Sequence, residues 1–229
     1  MSKRNRCPPF QRLDFSIRGE RVGCDLMTDW TEHWDGFAVS GYEYAAFPPG
    51  HRVLDLGFGR GIELRQLSLK GCHPVGVESN RERAKEAAAL GMRVVVAAAE
   101  QLPFQTRAFD GVLSKVMLPY TDEERVLAEI GRVLRLGGEC ELVTVGLGYY
   151  LAYLFVARRP GRKRYAIRTI VNTWCYRATG KWPLTRTVYQ SMPWLRRSFT
   201  RHGLQVIRRT HTRRYLGMPV FIYLRLRKL

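Results

Sequence analysis

His51-Arg52-Val53-Leu54-Asp55-Leu56-Gly57-Phe58-Gly59-Arg60-Gly61 is the stretch on which the reading of this chain turns. A short apolar run ends in an acid and breaks into three glycines spaced two apart, after which a helical pattern runs to about Lys70. Strand, glycine turn and helix in that order place the turn at the carboxyl edge of a parallel sheet, where doubly wound folds bind ligands. A glycine turn alone says little, because a tight turn needs glycine for conformational reasons in any case.

Working outward, apolar runs and helical segments keep alternating. His73 to Glu78 reads as a second strand. Asn80 can cap the next helix, and Gly91 closes it where a left-handed residue is wanted. Met92 to Ala97 gives a third strand and Phe109 to Ser114 a fourth. Thr121-Asp122-Glu123-Glu124 has the form of a capping box, and Val126, Leu127, Ile130, Val133 and Leu134 recur at helical spacing behind it. Gly137-Gly138 is expected to stop that helix before a fifth strand, Glu139 to Val145. Beyond an irregular stretch, 146–190, a helix (Pro193 to His202) and two strands (Leu204 to Thr212, Val220 to Arg227) complete the pattern, the last two as an antiparallel pair. The fold class expected is α/β, doubly wound and mostly parallel, with an N-terminal segment over residues 1–50 and the main domain over 51–229.

The chain has 229 residues, 45% of them hydrophobic, enough for a sizeable core. Its five cysteines are scattered without a Cys-x-x-Cys pair, so neither a disulfide framework nor a metal site is expected. Met1 to Arg6 run into Cys7-Pro8-Pro9 rather than an apolar signal stretch, and Leu147 to Ala157 is shorter than the roughly 20 residues a bilayer span takes. The expected location is therefore cytoplasmic, with peripheral membrane contact left open. The net charge of +18 is unevenly spread: every Asp and Glu lies at or before Glu141, whereas half of the 38 Lys and Arg lie from Arg158 to Lys228. So one-sided a charge implies an anionic partner, whether nucleic acid, a membrane surface or a phosphorylated substrate, set against the plainer reading of a solvated basic face.

Two details narrow the ligand. A dinucleotide fingerprint would put its third glycine at position 62, which is Ile62, and Asp55 would stand where a pyrophosphate must lie. A ligand with a cationic amino-acid portion gains from that carboxylate, and S-adenosylmethionine is such a ligand. Glu78 follows about 20 residues after the loop, the separation at which an acid accepts hydrogen bonds from two ribose hydroxyls. The plainer reading of Glu78 is a surface acid capping the next helix.

VLDLGFGRG, VGVES, AAAEQLPFQTRAFDGVLS and LAEIGRVLRLGGECELVT, in that order over roughly residues 51–145, resemble the successive motifs of class I, Rossmann-like S-adenosylmethionine-dependent methyltransferases. The likeness is to the small-molecule branch that includes the ubiquinone and menaquinone biosynthetic enzymes. It implies a seven-stranded sheet whose last strand is antiparallel. It also implies Asp55, Gly57, Phe58, Gly59 and Gly61 at the methionine part of the cofactor and Glu78, with Ser79, at the ribose. Glu100, Gln101 and Leu102 would lie along the adenine edge, with Ser114 and Lys115 beside the sulfonium. Two positions depart from the family pattern: Ala98 stands where an acid usually meets the adenine, and Leu136 replaces a proline.

Asp29 to Trp34 and Gly41 to Tyr44 precede the first strand, where related enzymes place a helix over the cofactor; their rings suit either cation–π contact or plain packing. Methyl transfer needs mainly positioning and exclusion of water, so no catalytic residue need show in the sequence. If the acceptor is a hydroxyl, His33 and Tyr120 are the candidate bases. The stretch 146–190 is expected to form a basic lid over the acceptor. Tyr149 to Ala157 beside Arg158 to Arg164 resembles an interfacial membrane anchor, with Trp174, Tyr176 and Trp182 as stacking residues if the partner is RNA and an ordinary buried helix as the plainer reading. The expected partner is a small-molecule or lipid-like methyl acceptor, with the basic C-terminal third either docking the chain on an anionic membrane surface or binding phosphate on the substrate. RNA is the first alternative, weakened by Ser114-Lys115-Val116-Met117 where an Asn-Pro-Pro-Tyr-type tetrad would stand; a non-catalytic binding protein of the same fold is the second.

Overall fold

The computed structural model describes residues 44–211 and 214–229. Its strands are β1 (Arg52–Leu56), β2 (His73–Glu78), β3 (Val94–Val96), β4 (Phe109–Lys115), β5 (Leu134–Val145), β6 (Leu204–His211), β7 (Arg214–Tyr215), β8 (Met218–Pro219) and β9 (Phe221–Lys228). The helices are α1 (Ile62–Leu69), α2 (Arg81–Ala89), α3 (Glu123–Val133), α4 (Leu147–Val156), α5 (Pro160–Thr179) and α6 (Met192–Arg201), with a 3-10 turn at Leu118–Tyr120. Seven strands form one sheet in the order β3-β2-β1-β4-β5-β9-β6, and β7 and β8 make a small separate ladder. β1 to β5 pair in parallel, whereas β9 runs antiparallel to both neighbours. The fold is thus the doubly wound, mostly parallel sheet expected, with its last strand reversed. Strand order changes direction between β1 and β4, and such a switch point leaves a crevice at the carboxyl ends.

The sheet forms because its central strands are apolar on both faces. In β1 the residues Val53, Leu54 and Leu56 are all fully buried. Alternation sends Leu54 and Leu56 to one face, where they join Val112, Leu127, Ile130 and Phe199, and Val53 to the other, with Leu67, Leu113 and Phe47. The α3 row Val126, Leu127, Ile130 and Val133 is fully buried, each side chain contributing about 1.5–3 kcal/mol relative to exposure. Asn80 caps α2, its side chain accepting from the amides of Glu82 and Arg83.

Three local expectations fail. Thr121 does not cap α3: its hydroxyl donates to the Leu118 carbonyl and Asp122 is the cap, accepting from the Arg125 amide. Glu124 meets Ser198, Arg201 and His202 instead, tying α3 to α6 and its C-terminal cap, while Glu123 is buried. Gly137-Gly138 does not stop the helix either, since α3 ends at Val133 and the glycines lie inside β5, where the register with β4 shifts. The third strand is shorter than Met92 to Ala97.

The stretch 146–190 holds α4, α5 and a returning loop. Its aromatic helix packs inward: Tyr150 and Tyr153 are buried, and the apolar residues of α4 most open to solvent are Phe155 and Val156. A polar network with little solvent contact joins it to the sheet. Gln190 donates to Glu123 at 3.1 Å and accepts from Thr144 at 2.7 Å. Arg177 lies 3.3 Å from the Glu123 carboxylate and stacks 4.3 Å over the Trp194 ring. Among the described residues no helix is long and apolar enough to cross a membrane.

Candidate functional site

The crevice at the β1/β4 switch point is built first by backbone. Gly57, Gly59 and Gly61 have φ of +66°, +57° and +71°, a conformation open to glycine and strained for side chains. The Gly57 amide donates to the Val77 carbonyl, pinning the loop to β2. A Cβ on Gly57 would come within 2.9 Å of Met117, so two chain segments meet closely there. Phe58 points the other way, into the core with Leu64 and Ala87, and what it offers a ligand is its backbone.

Two acids stand at adjacent strand tips. Asp55 is in register with Gly76, and Glu78 lies two residues farther along β2, so both carboxylates share one face of the sheet. Asp55 is 2% exposed, and its Oδ2 has no hydrogen-bond partner among the described residues. Burial pushes its carboxyl well above the usual carboxylate range; the Glu63 and Glu78 charges push the same way, and Lys115 opposes them. Glu78 is oriented by its own helix start, Oε1 accepting from the Asn80 amide at 3.0 Å and from the Ser79 hydroxyl at 3.4 Å.

Lys115, at the tip of β4, pairs with Glu63 in the first turn of α1 at 2.5 Å and lies 5.8 Å from the centre of the Tyr44 ring. Burial, then Asp55 and Glu63, raise the Tyr44 phenol well above its ordinary value. Asp55, Glu78, Lys115 and the glycine loop therefore come together. Ser114 does not join them on that face: it is in register with Leu56, and its buried hydroxyl has no partner among the described residues.

Beyond β3, Glu100 accepts from the Asp122 amide and the Leu102 amide donates to Glu129, so both serve the start or flank of α3; Gln101 is exposed. His33 and the segment Asp29 to Trp34 lie outside the described residues. Val116 escaped the sequence reading. This β-branched residue has φ +56°, a strained conformation of the kind that collects at functional sites, and the bend it makes brings Met117 against Gly57. No glycine or asparagine marks the bend, so the sequence carries no signal for it.

A second group of side chains crowds the carboxyl edge of β4 and β5. Tyr149 and Tyr153 share a 2.7 Å hydroxyl contact, and Tyr150 lies 5.9 Å from Tyr165 and 6.4 Å from Tyr189, between ring centres. The returning loop is held there by Val188 on Pro119 and Gln190 on Val145. Tyr120, half-exposed, adds its field to Tyr149 and Tyr150. Burial foremost, with neighbouring phenols, raises both of those phenols, keeping them neutral donors rather than bases.

Chemically, the site offers a buried carboxylate to a positive charge, a second carboxylate to a diol, and bare backbone between them. Residues 54–142 match the methyltransferase domain family. An uncharacterised methyltransferase of Mycobacterium tuberculosis is 34% identical over 122 residues, covering 47% of this chain and 50% of that protein. The chain spans about half the length of the curated relatives it matches. Among solved structures, an S-adenosylmethionine-dependent methyltransferase of Methanosarcina mazei superposes with a TM-score of 0.61 at 19% identity, over 80% of this chain and 94% of that one. Geranyl diphosphate C-methyltransferase of Streptomyces coelicolor, solved with Mg2+, geranyl diphosphate and S-adenosyl-L-homocysteine, gives 0.57 at 15% identity, over 80% and 74%.

Proposed function

We propose that this chain, whose residues 54–142 match the methyltransferase domain family, moves a methyl group from S-adenosylmethionine to a small-molecule or lipid-like acceptor. The observation that carries the reading is the pair of carboxylates on one sheet face, with a buried Asp55 Oδ2 that has no partner among the described residues, beside a glycine loop of three left-handed residues. These residues fit the cofactor: Asp55 answers its ammonium, the loop from Gly57 to Gly61 lets the backbone approach, and Glu78 answers the ribose hydroxyls. When bound, S-adenosylmethionine supplies a sulfonium methyl group that is already electrophilic.

What remains for the protein is placement and exclusion of water, which together reach ~7–11 kcal/mol in favourable cases. The strained turn at Val116 and Met117 sets the β4 tip against the loop. Tyr120 and the tyrosines of α4 and α5 form the acceptor side, with 146–190 as its lid. Since the Tyr149 phenol stays neutral, it offers the acceptor a hydrogen bond rather than taking its proton, while buried Tyr150 packs the wall behind it. Support for a small acceptor comes from the Streptomyces coelicolor neighbour, which was solved with geranyl diphosphate. The acid-free C-terminal third supports work at an anionic membrane surface.

Calorimetric titration with S-adenosylmethionine tests the assignment. Wild type binds, and Asp55→Ala and Glu78→Ala each weaken binding at least ten-fold, the loss of a hydrogen bond to a charged group being worth about 1.5–3 kcal/mol. Unchanged affinity in both variants refutes it.

A further inference from the structure

We infer that the outer face of α5 docks this chain on an anionic lipid surface. The inference rests on the proposed function only for its purpose, bringing a lipid-like acceptor to the site; the surface itself is read from the helix.

Along α5, successive residues turn by about 100°. Thr169, Asn172 and Thr173 face inward and are fully buried. Opposite them Ile167, Val171 and Trp174 are 48%, 44% and 68% exposed, lying in one row at spacings of four and three residues. The same turn-by-turn geometry sets exposed Lys163 on one side of this row and exposed Arg164 and Arg168 on the other. Phe155 and Val156, at the end of α4 that leads into α5, are 59% and 52% exposed.

An apolar row flanked by cations whose stems can reach along it is the arrangement of a helix lying in a lipid headgroup layer. Charge complementarity names the partner: no acid follows Glu141, so nothing within the last third offsets these cations locally. The tyrosines of α4, the part of the stretch whose sequence most resembles an anchor, are turned inward instead.

The experiment is co-sedimentation of the full chain with vesicles of phosphatidylserine and phosphatidylcholine, or of phosphatidylcholine alone, at low and high salt. Binding is expected to the first composition and to fall with salt. Lys163→Gln and Arg164→Gln should each weaken it about five-fold, and Trp174→Ser about ten-fold. Trp174→Phe should keep binding while losing most of the quenching of tryptophan emission by brominated acyl chains. Equal binding to both compositions, indifference to Trp174→Ser, or tighter binding to single-stranded RNA than to either vesicle overturns the inference. S-adenosylmethionine affinity is measured on the same preparations. Loss of lipid binding with cofactor binding intact removes this inference alone, and a wild type that binds lipid but no cofactor removes the proposed function alone.

Discussion

Replacing Asp55 by Asn should stabilise the chain and weaken cofactor binding, opposite signs from one substitution. The Asp55 carboxyl is buried and its Oδ2 lacks a partner among the described residues, with Glu63 and Glu78 adding repulsion and Lys115 offering partial relief. An unsatisfied buried acceptor costs about 1–3 kcal/mol, more when charged. Removing the charge should return at least ~1 kcal/mol, or about 2–4 °C in Tm for a domain of this size. The sign with pH follows from the upward shift. At and below the ordinary carboxylate value of about 3.9, folded and unfolded chains both hold the proton. As pH rises from there toward the folded value, the unfolded chain has released its proton and the folded chain has not, so stability is lost across that window. Asn abolishes this component, and the difference between wild type and variant isolates it from Glu123 and Glu141, whose carboxyls burial also raises. Cofactor binding runs the other way: S-adenosylmethionine needs the carboxylate, so wild-type affinity rises with pH over the same window. The Asn variant binds about 10- to 150-fold more weakly with a flat profile. Thermal unfolding and calorimetry across pH read both halves. A variant with unchanged or lower Tm, or with wild-type affinity, refutes the reasoning.

Two further outcomes test the framework that holds the site. Arg177→Ala leaves the Glu123 carboxylate buried without its cation and removes the stack on Trp194, so thermal unfolding should show a loss of about 3–5 kcal/mol. Gly76→Ala puts a Cβ 2.5 Å from Phe58 and 2.7 Å from Leu64 between β2 and α1, and chemical denaturation should register about 1–3 kcal/mol of overpacking.

The parts of this molecule that could be read from the sequence are those fixed by near neighbours. The apolar run of β1, the glycine turn and the Asn80 cap follow from a few adjacent residues, and the shared face of Asp55 and Glu78 follows from strand alternation once β1 and β2 are paired. Legibility ends where a side chain had a choice of distant partners. Thr121 and Asp122 are both sound caps, and the selection fell to Asp122, whose amide is held by Glu100 from the preceding loop. Glu124 was open to a capping role until α6 brought Ser198, Arg201 and His202 to it. The contacts joining Thr144, Gln190, Glu123 and Arg177 span tens of residues, and no local pattern announces them. For the same reason the aromatic α4 resembled a lipid anchor, since periodicity says that a face is apolar and not what covers it.

The position of β9 bears on how the molecule can be made. That strand lies between β5 and β6, yet follows both along the chain. During synthesis β1 to β5 can assemble while residues 221–228 are still inside the ribosome, and β6 then has no neighbour to join. Until the final strand emerges, β5 presents a row of unpaired amides and carbonyls along a bare sheet edge, an invitation to stray pairing with other chains. A nascent chain of this topology needs shelter from aggregation until residues 221–228 have emerged, and the sheet closes only then.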